Sequence, residues 1–259
     1  MDSPVVPIYY WSYWATVIYI AGMFGYLAID TSNYLFEIFN DSLSYFVYAF
    51  LAILFVVDAA LYTIDWYIYA VRSRNDKNEP IQYQAELVAC IFQNLGSYCY
   101  LISALLTFNK SQYMGKILLF NLIGIFAYLI ESGFIFLEWG ISGRRKPSTN
   151  PKRGCVSQDV YMWAHILYTV ANLIYLCATT LAYRFYVNLN DVNVRGVVIL
   201  QILGDLVYLC DACLYYEGWL EDKQEYDRNT ERQKLTVLNF INQLTTENFN
   251  VDLHTKDNK

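Results

Sequence analysis

Proline is scarce in this 259-residue chain, and it is missing from the places where it would break a helix. The five prolines, Pro4, Pro7, Pro80, Pro147 and Pro151, all lie outside the long apolar runs. Those runs are therefore read as continuous helices, unlike the Pro- or Gly-interrupted helices of many secondary transporters. Charge is also sparse, at 16% of residues against 56% hydrophobic. Histidine occurs twice, as His165 and His254, and there is no His-rich metal signature, Walker-type phosphate loop or nucleophile elbow. No metal or cofactor is expected, and an enzyme is the least supported class. None of the six cysteines falls in a segment read as an outer loop, so no disulfide framework is expected. Cys210-Asp-Ala-Cys213 has C-x-x-C spacing, but it stands alone on an apolar helix and carries little weight for metal or redox chemistry.

Six apolar stretches are present, roughly at 9–29, 43–71, 83–107, 116–139, 159–186 and 196–220. Each reaches the ~20 residues that a helix needs to cross ~30 Å of hydrocarbon. The reading is an integral, multi-pass membrane protein surrounded by the lipid bilayer. The first stretch is not read as a signal peptide: no basic residue precedes it, and Trp11, Tyr13 and Trp14 stud its start.

Lysine and arginine set the expected orientation. They gather after stretch 2 (Arg72, Arg74, Lys77), after stretch 4 (Arg144, Arg145, Lys146, Lys152, Arg153) and after stretch 6 (Lys223, Arg228, Arg232, Lys234). The segment after stretch 1 has none, only Asp30, Glu37 and Asp41. Both termini are thus expected on the cytoplasmic side. Two glycosylation sequons, at Asn40 and Asn109, fall on expected outer loops but close to helix ends, where use is not expected. Cys155 lies in a basic inner loop, where a plain free thiol is favoured over palmitoylation. Net charge is −6, yet the inner loops are basic, which suits an anionic leaflet and does not suggest nucleic acid.

Three apolar stretches carry an acid followed eight positions later by tryptophan: Asp58 and Trp66, Glu131 and Trp139, Asp211 and Trp219. The odd stretches also align: Trp14-Ala-Thr16, Gly22, Tyr26-Leu27; Val88-Ala-Cys90, Gly96, Tyr100-Leu101; Trp163-Ala-His165, Ala171, Tyr175-Leu176. The repeating unit is a two-helix hairpin of roughly 75 residues. Because each copy has two spans, the copies run parallel, related by an axis along the membrane normal. The expected fold is all-α: six transmembrane helices as three parallel hairpins (about 9–71, 83–140 and 158–220) in pseudo-threefold arrangement. Residues 221–259 are read as a polar cytoplasmic tail, solvated by default; Leu235, Leu238, Ile241 and Leu244 outline one apolar face of a short helix that could lie on the membrane or contact a protein partner.

Charge within a span is costly and marks function by default. Residues seven apart share a helix side, which groups Leu51, Asp58 and Asp65; Gly124, Glu131 and Glu138; Gly204, Asp211 and Gly218. Small residues follow each first acid (Ala59-Ala60, Ser132-Gly133, Ala212-Cys213), so that face is read as packed against protein. If the tryptophans mark the interface, the first acids lie roughly 12 Å inward. The second acids, Asp65, Glu138 and Glu217, are read as solvated interfacial charge. His165 lies near the depth of Asp211 and could hydrogen-bond an acid, and Asp205, without a counterpart in the other copies, is the most deeply placed charge. Two functions fit. One is a transporter or channel-like protein for a cation, proton or small polar solute, with Asp58, Glu131, Asp211, Asp205 and His165 as the candidate polar pathway. The other is a non-transporting scaffold whose acids lock helices together.

Overall fold

A computed structural model describes residues 10–36, 41–73, 80–145, 159–188 and 194–256. Asn40, Cys155 and the basic residues Arg74, Lys77, Lys146, Lys152 and Arg153 lie outside the described residues. All the elements described are helical: α1 (Tyr10–Phe36), α2 (Asp41–Ser73), α3 (Pro80–Leu106), a 3₁₀ turn (Thr107–Asn109), α4 (Lys110–Arg145), α5 (Val160–Asn188) and α6 (Val194–Lys256). Pro80 opens α3, the one helical position where a missing N–H costs nothing. Asp159 caps α5, its Oδ1 accepting from the Met162 N–H at 3.2 Å.

Among the described residues, five apolar stretches are long enough to cross a bilayer: Tyr10–Leu35, Ser42–Ile68, Ala85–Gly140, Val160–Tyr186 and Arg195–Gln224. The third is 56 residues long and takes in two of the six expected spans, because only the 3₁₀ turn separates α3 from α4. The chain reverses there. Ser103 Oγ donates to the Ile117 carbonyl at 3.3 Å, and Ser97 shares a hydrogen bond with the Tyr128 hydroxyl at 2.9 Å, so α3 and α4 lie antiparallel. Asn109, the second sequon, ends that turn and is exposed.

The chain divides into two compact units, Met1–Glu217 and Gly218–Lys259. In the first, α1 packs on α2, α2 on α3, α3 on α4 and α4 on α5. The part of α6 up to Glu217 is hydrogen-bonded to α5 through Tyr208 and Asn172, and to α1 through Asp211 and Tyr19. The order of helices therefore closes on itself. The second unit holds the remainder of α6, which is helical to Lys256, well beyond the short helix expected in the tail. Residues 221–256 contain neither proline nor glycine and are rich in Glu, Gln, Lys, Arg and Leu, all good helix formers.

Inside and outside are inverted relative to a water-soluble bundle. Buried among the described residues are Asp58, Glu131, Asp205, Asp211, His165 and Asn172, while Phe24, Phe46, Phe50, Phe126 and Leu137 stand exposed. Exposed apolar surface on this scale favours a hydrocarbon environment, and five apolar helices of this kind fit a multi-pass membrane protein in contact with lipid. The buried positions come as adjacent pairs that recur every seven residues, such as Ile117-Leu118, Gly124-Ile125 and Glu131-Ser132 on α4, or Gly204-Asp205 and Asp211-Ala212 on α6. That period belongs to helices wound with a left-handed twist.

Glycine sets the closest approach. A Cβ on Gly96 would meet the Tyr128 ring at 2.5 Å, and one on Gly204 would meet the Tyr175 ring at 2.6 Å. Replacing Gly96 with leucine is expected to lower stability by about 1–3 kcal/mol through overpacking. Gly133→Ala, where an added Cβ meets nothing within 4 Å, is expected to be neutral or mildly stabilising. Thermal unfolding of the purified protein in detergent reads both, and equal effects at the two sites would contradict this packing.

Candidate functional site

The acids that stand out in the sequence sit on the face the helices bury. Asp58 is 4% exposed, Glu131 5% and Asp211 0%, and the next residue of each helix (Ala59, Ser132, Ala212) is buried with it. The second small residue of each pair, Ala60, Gly133 and Cys213, faces outward, so the packed face is narrower than the sequence suggests. Glu131 lies within electrostatic range of both Asp58 and Asp211. Glu131 is thus an electrostatic neighbour of each of the other two, although each rides on a different helix.

Two of the three are held by tyrosine. Tyr19 on α1 donates its hydroxyl to Asp211 Oδ2 at 2.7 Å, and Tyr168 on α5 donates to Glu131 Oε2 at 2.7 Å. Asp58 has no tyrosine bond among the described contacts, and its Oδ1 is buried without a hydrogen-bond partner, as are Asp211 Oδ1 and Asp205 Oδ2. A buried carboxyl oxygen without a donor is costly, and it marks a place where a ligand group would be welcome.

Asp58 and Glu131 both line a cavity of about 500 Å³ formed by residues from all of α1 to α6 within the first unit. Asp205 and Asp211 do not line it. They sit behind Tyr175 and Tyr19, which do, and Tyr175 donates its hydroxyl to Asp205. Tyrosines make up most of the aromatic wall. Tyr128 shares a hydrogen bond with Ser97, Tyr208 donates to Asn172 Oδ1 at 2.6 Å, and Tyr62 pairs with Thr16 at 3.4 Å. The acids along the lining are Asp58, Asp65, Glu86, Glu131 and Glu138, and no lysine or arginine is among the lining residues.

His165 also lines the cavity, but it does not bond an acid. Its Nδ1 meets the Tyr215 hydroxyl at 2.6 Å, its ring stacks on Tyr168 at 5.5 Å, and its Nε2 is buried without a partner. Asp65 and Glu138, read from the sequence as interfacial charge, line the cavity as well, whereas Glu217 is exposed. The neighbouring tryptophans do more than sit at a boundary: Trp66 Nε1 donates to Glu86 Oε2 at 2.9 Å and Trp139 Nε1 to Asp159 Oδ2 at 3.2 Å.

Asp30 is an acid near Asp205 that sequence reasoning placed elsewhere. It counted there among the acids of an outer loop, yet it lies within α1, accepts a hydrogen bond from Tyr48, and is in electrostatic range of Asp205. Asp205, without a counterpart in the repeat, thus has an acidic neighbour from the first helix. The tyrosine spacing held a usable signal. Tyr19 and Tyr26, Tyr168 and Tyr175, and Tyr208 and Tyr215 are each seven apart, the period that puts both on one buried stripe.

Fold and site together define an all-helical chain that fits a multi-pass membrane protein, with an aromatic, acid-bearing cavity inside its first unit. No family model matches the chain, and neither a curated protein nor a solved structure is similar to it.

Removing the hydroxyl of Tyr19 leaves the Asp211 carboxyl buried without its donor. Tyr19→Phe is expected to cost about 1–3 kcal/mol in unfolding free energy. In an Asp211→Leu background the same change is expected to cost much less. A double-mutant cycle by denaturant unfolding in mixed micelles measures the coupling, and strict additivity would show that the bond contributes nothing.

Proposed function

We propose that this protein is a six-span membrane bundle of three parallel hairpins, with both ends on the cytoplasmic side, that binds a small cationic solute in its central cavity and passes it across the bilayer. The carrying observation is Asp58: its Oδ1 is buried without a donor, on the wall of a cavity that also holds Glu131 and has no lysine or arginine among its described lining residues. Two carboxyl groups facing one space attract positive charge and repel each other until it arrives.

Equivalent contacts recur at equivalent positions, and they support the hairpin repeat. Four residues after the acid, Tyr62 pairs with Thr16 and Tyr215 with His165. Three residues before it, Tyr128 pairs with Ser97 and Tyr208 with Asn172. Close approach recurs too. An added Cβ on Gly22 would meet Phe55, as one on Gly96 would meet Tyr128; an added Cβ on Gly124 would meet Tyr100, as one on Gly204 would meet Tyr175. The acid contacts pass from one hairpin to another: α1 of the first reaches the acid of the third, and α5 of the third reaches the acid of the second. By the same alignment, Gln93 of the second hairpin corresponds to Tyr19 and Tyr168, and Asp58 of the first is the acid left over. Gln93 and Asp58 both line the cavity. Antiparallel α3 and α4 within the 56-residue apolar stretch account for two crossings where one stretch is counted.

A scaffold role has its own support. Asp211 and Glu131 are held by tyrosine hydroxyls in the manner of helix locks. The two readings divide on Asp58, whose Oδ1 has no partner on the cavity wall.

Flux into liposomes separates them. The wild type is expected to move a cationic solute, and Asp58→Asn with Glu131→Gln is expected to abolish that movement while the protein stays folded by size exclusion. Unchanged flux in the double variant would remove the acids from the pathway, and absence of flux for the wild type across inorganic and organic cations would favour the scaffold.

A further inference from the structure

The cavity is shaped for a particular kind of cation. We infer that the solute is an organic ammonium ion, with its charged head at Asp58 and its body against the aromatic wall. This rests on the reading of the cavity as a cation site and adds the chemical class of the ligand.

Size comes first. About 500 Å³ is the space of a small organic molecule, whose pockets run roughly 300–1,000 Å³. A desolvated metal ion needs instead a tight shell of oxygen or nitrogen ligands. Among the described residues no three His, Cys, Asp or Glu side chains converge closely enough to form one.

The wall is the second observation. Ring contacts run in two series, Tyr19 to Phe55 to Tyr26, and Tyr100 to Tyr128 to Tyr168 to Tyr208 to Tyr175, with centroids 5.5–6.0 Å apart. Most of these hydroxyls already have partners: Tyr19 with Asp211, Tyr128 with Ser97, Tyr168 with Glu131, Tyr175 with Asp205 and Tyr208 with Asn172. What remains for a ligand is ring surface rather than hydrogen-bonding oxygen. Aromatic rings attract a weakly hydrated ammonium head through their quadrupoles and give its carbon groups apolar contact. They serve a bare metal ion poorly, because it would lose its hydration shell without gaining ligands.

Asp58 is the third. Its Oδ1 is more than nine-tenths buried and has no partner; Asp211 Oδ1 is also without one, but Asp211 does not line the cavity and its other oxygen is held by Tyr19. Phe55 and Tyr62, one turn before and one turn after it on α2, line the same cavity. A carboxylate flanked by aromatic rings is the chemistry that holds a substituted ammonium group.

The test is a binding titration on the full-length protein in detergent, followed by intrinsic tryptophan and tyrosine fluorescence and by calorimetry. Phenyltrimethylammonium is the probe, and tert-butylbenzene, which replaces the charged nitrogen with carbon, is its uncharged isostere. Saturable binding of the probe but not of the isostere is expected, weakened about tenfold or more in Asp58→Asn, as loss of a charge-assisted contact implies. Glu221→Gln, an exposed acid of the second unit, is expected to bind as the wild type does. Equal binding of probe and isostere, or undiminished binding in Asp58→Asn, would overturn the inference. If Asp58→Asn does not fold, the comparison of charged and uncharged probes on the wild type decides alone. Asp58-dependent binding without flux in liposomes would defeat the transport reading and leave this site standing. Flux of sodium or potassium by a protein that does not bind the probe would do the reverse.

Discussion

A carboxyl group buried among apolar helices has to find its hydrogen-bond partners inside the protein, and the packing of this bundle follows from that requirement. Tyr19 reaches from α1 to Asp211 on α6, and Tyr168 from α5 to Glu131 on α4. The first ties the first helix to the last and the second ties the consecutive helices α4 and α5, so the acids hold the bundle together by polar contacts as well as by packing. Lipid tails give no such preference, since an apolar helix gains little by exchanging lipid for another apolar helix. Small residues then let the backbones close up around the polar contacts. Gly96, Gly124 and Gly204 are the clearest cases, each receiving a tyrosine ring where a side chain would otherwise stand.

The same requirement explains why an incomplete set is informative. A buried acid with its donor is structural, and a buried acid without one is unstable until something supplies the missing contact. Glu131 combines both conditions, with one oxygen on Tyr168 and a place on the cavity wall, whereas Asp58 faces the cavity without a donor on Oδ1. Asp211 Oδ1 is also buried without a partner, but away from the cavity, so Asp58 is the one of these acids whose open contact is on the cavity wall. That asymmetry sets Asp58 apart from Glu131 and Asp211.

Much of this could be read from residue order. The apolar runs marked the helices, and the seven-residue stripes containing Asp58, Glu131 and Asp211 turned out to be buried. Periodicity gives the side of a helix that is hidden, because that depends only on 3.6 residues per turn. It does not give the rotation and depth of one helix relative to another, and those decide partners. His165 therefore meets Tyr215 rather than an acid, and Asp30, counted with the loop because it stands near the end of an apolar run, reaches Asp205's surroundings from inside α1. Tyrosine was hard to weigh for another reason: with 25 of them in the chain, single matches looked like composition. The extent of α6 was missed because polar composition was taken for a solvated tail, although the same residues are good helix formers.

Trp66 and Trp139 carry a consequence for how this architecture could change over time. Each indole N–H is fastened to an acid twenty positions further along, Glu86 and Asp159, so the chain is clasped where it leaves one helix and again where it enters the next. With both ends pinned, the connecting segment no longer has to measure the distance between helices. Its length is then nearly free, since lengthening a closed loop adds only about 0.6 kcal/mol per doubling. Insertions there would leave the bundle undisturbed, and the two connections become the places where new sequence can be acquired without cost to the cavity.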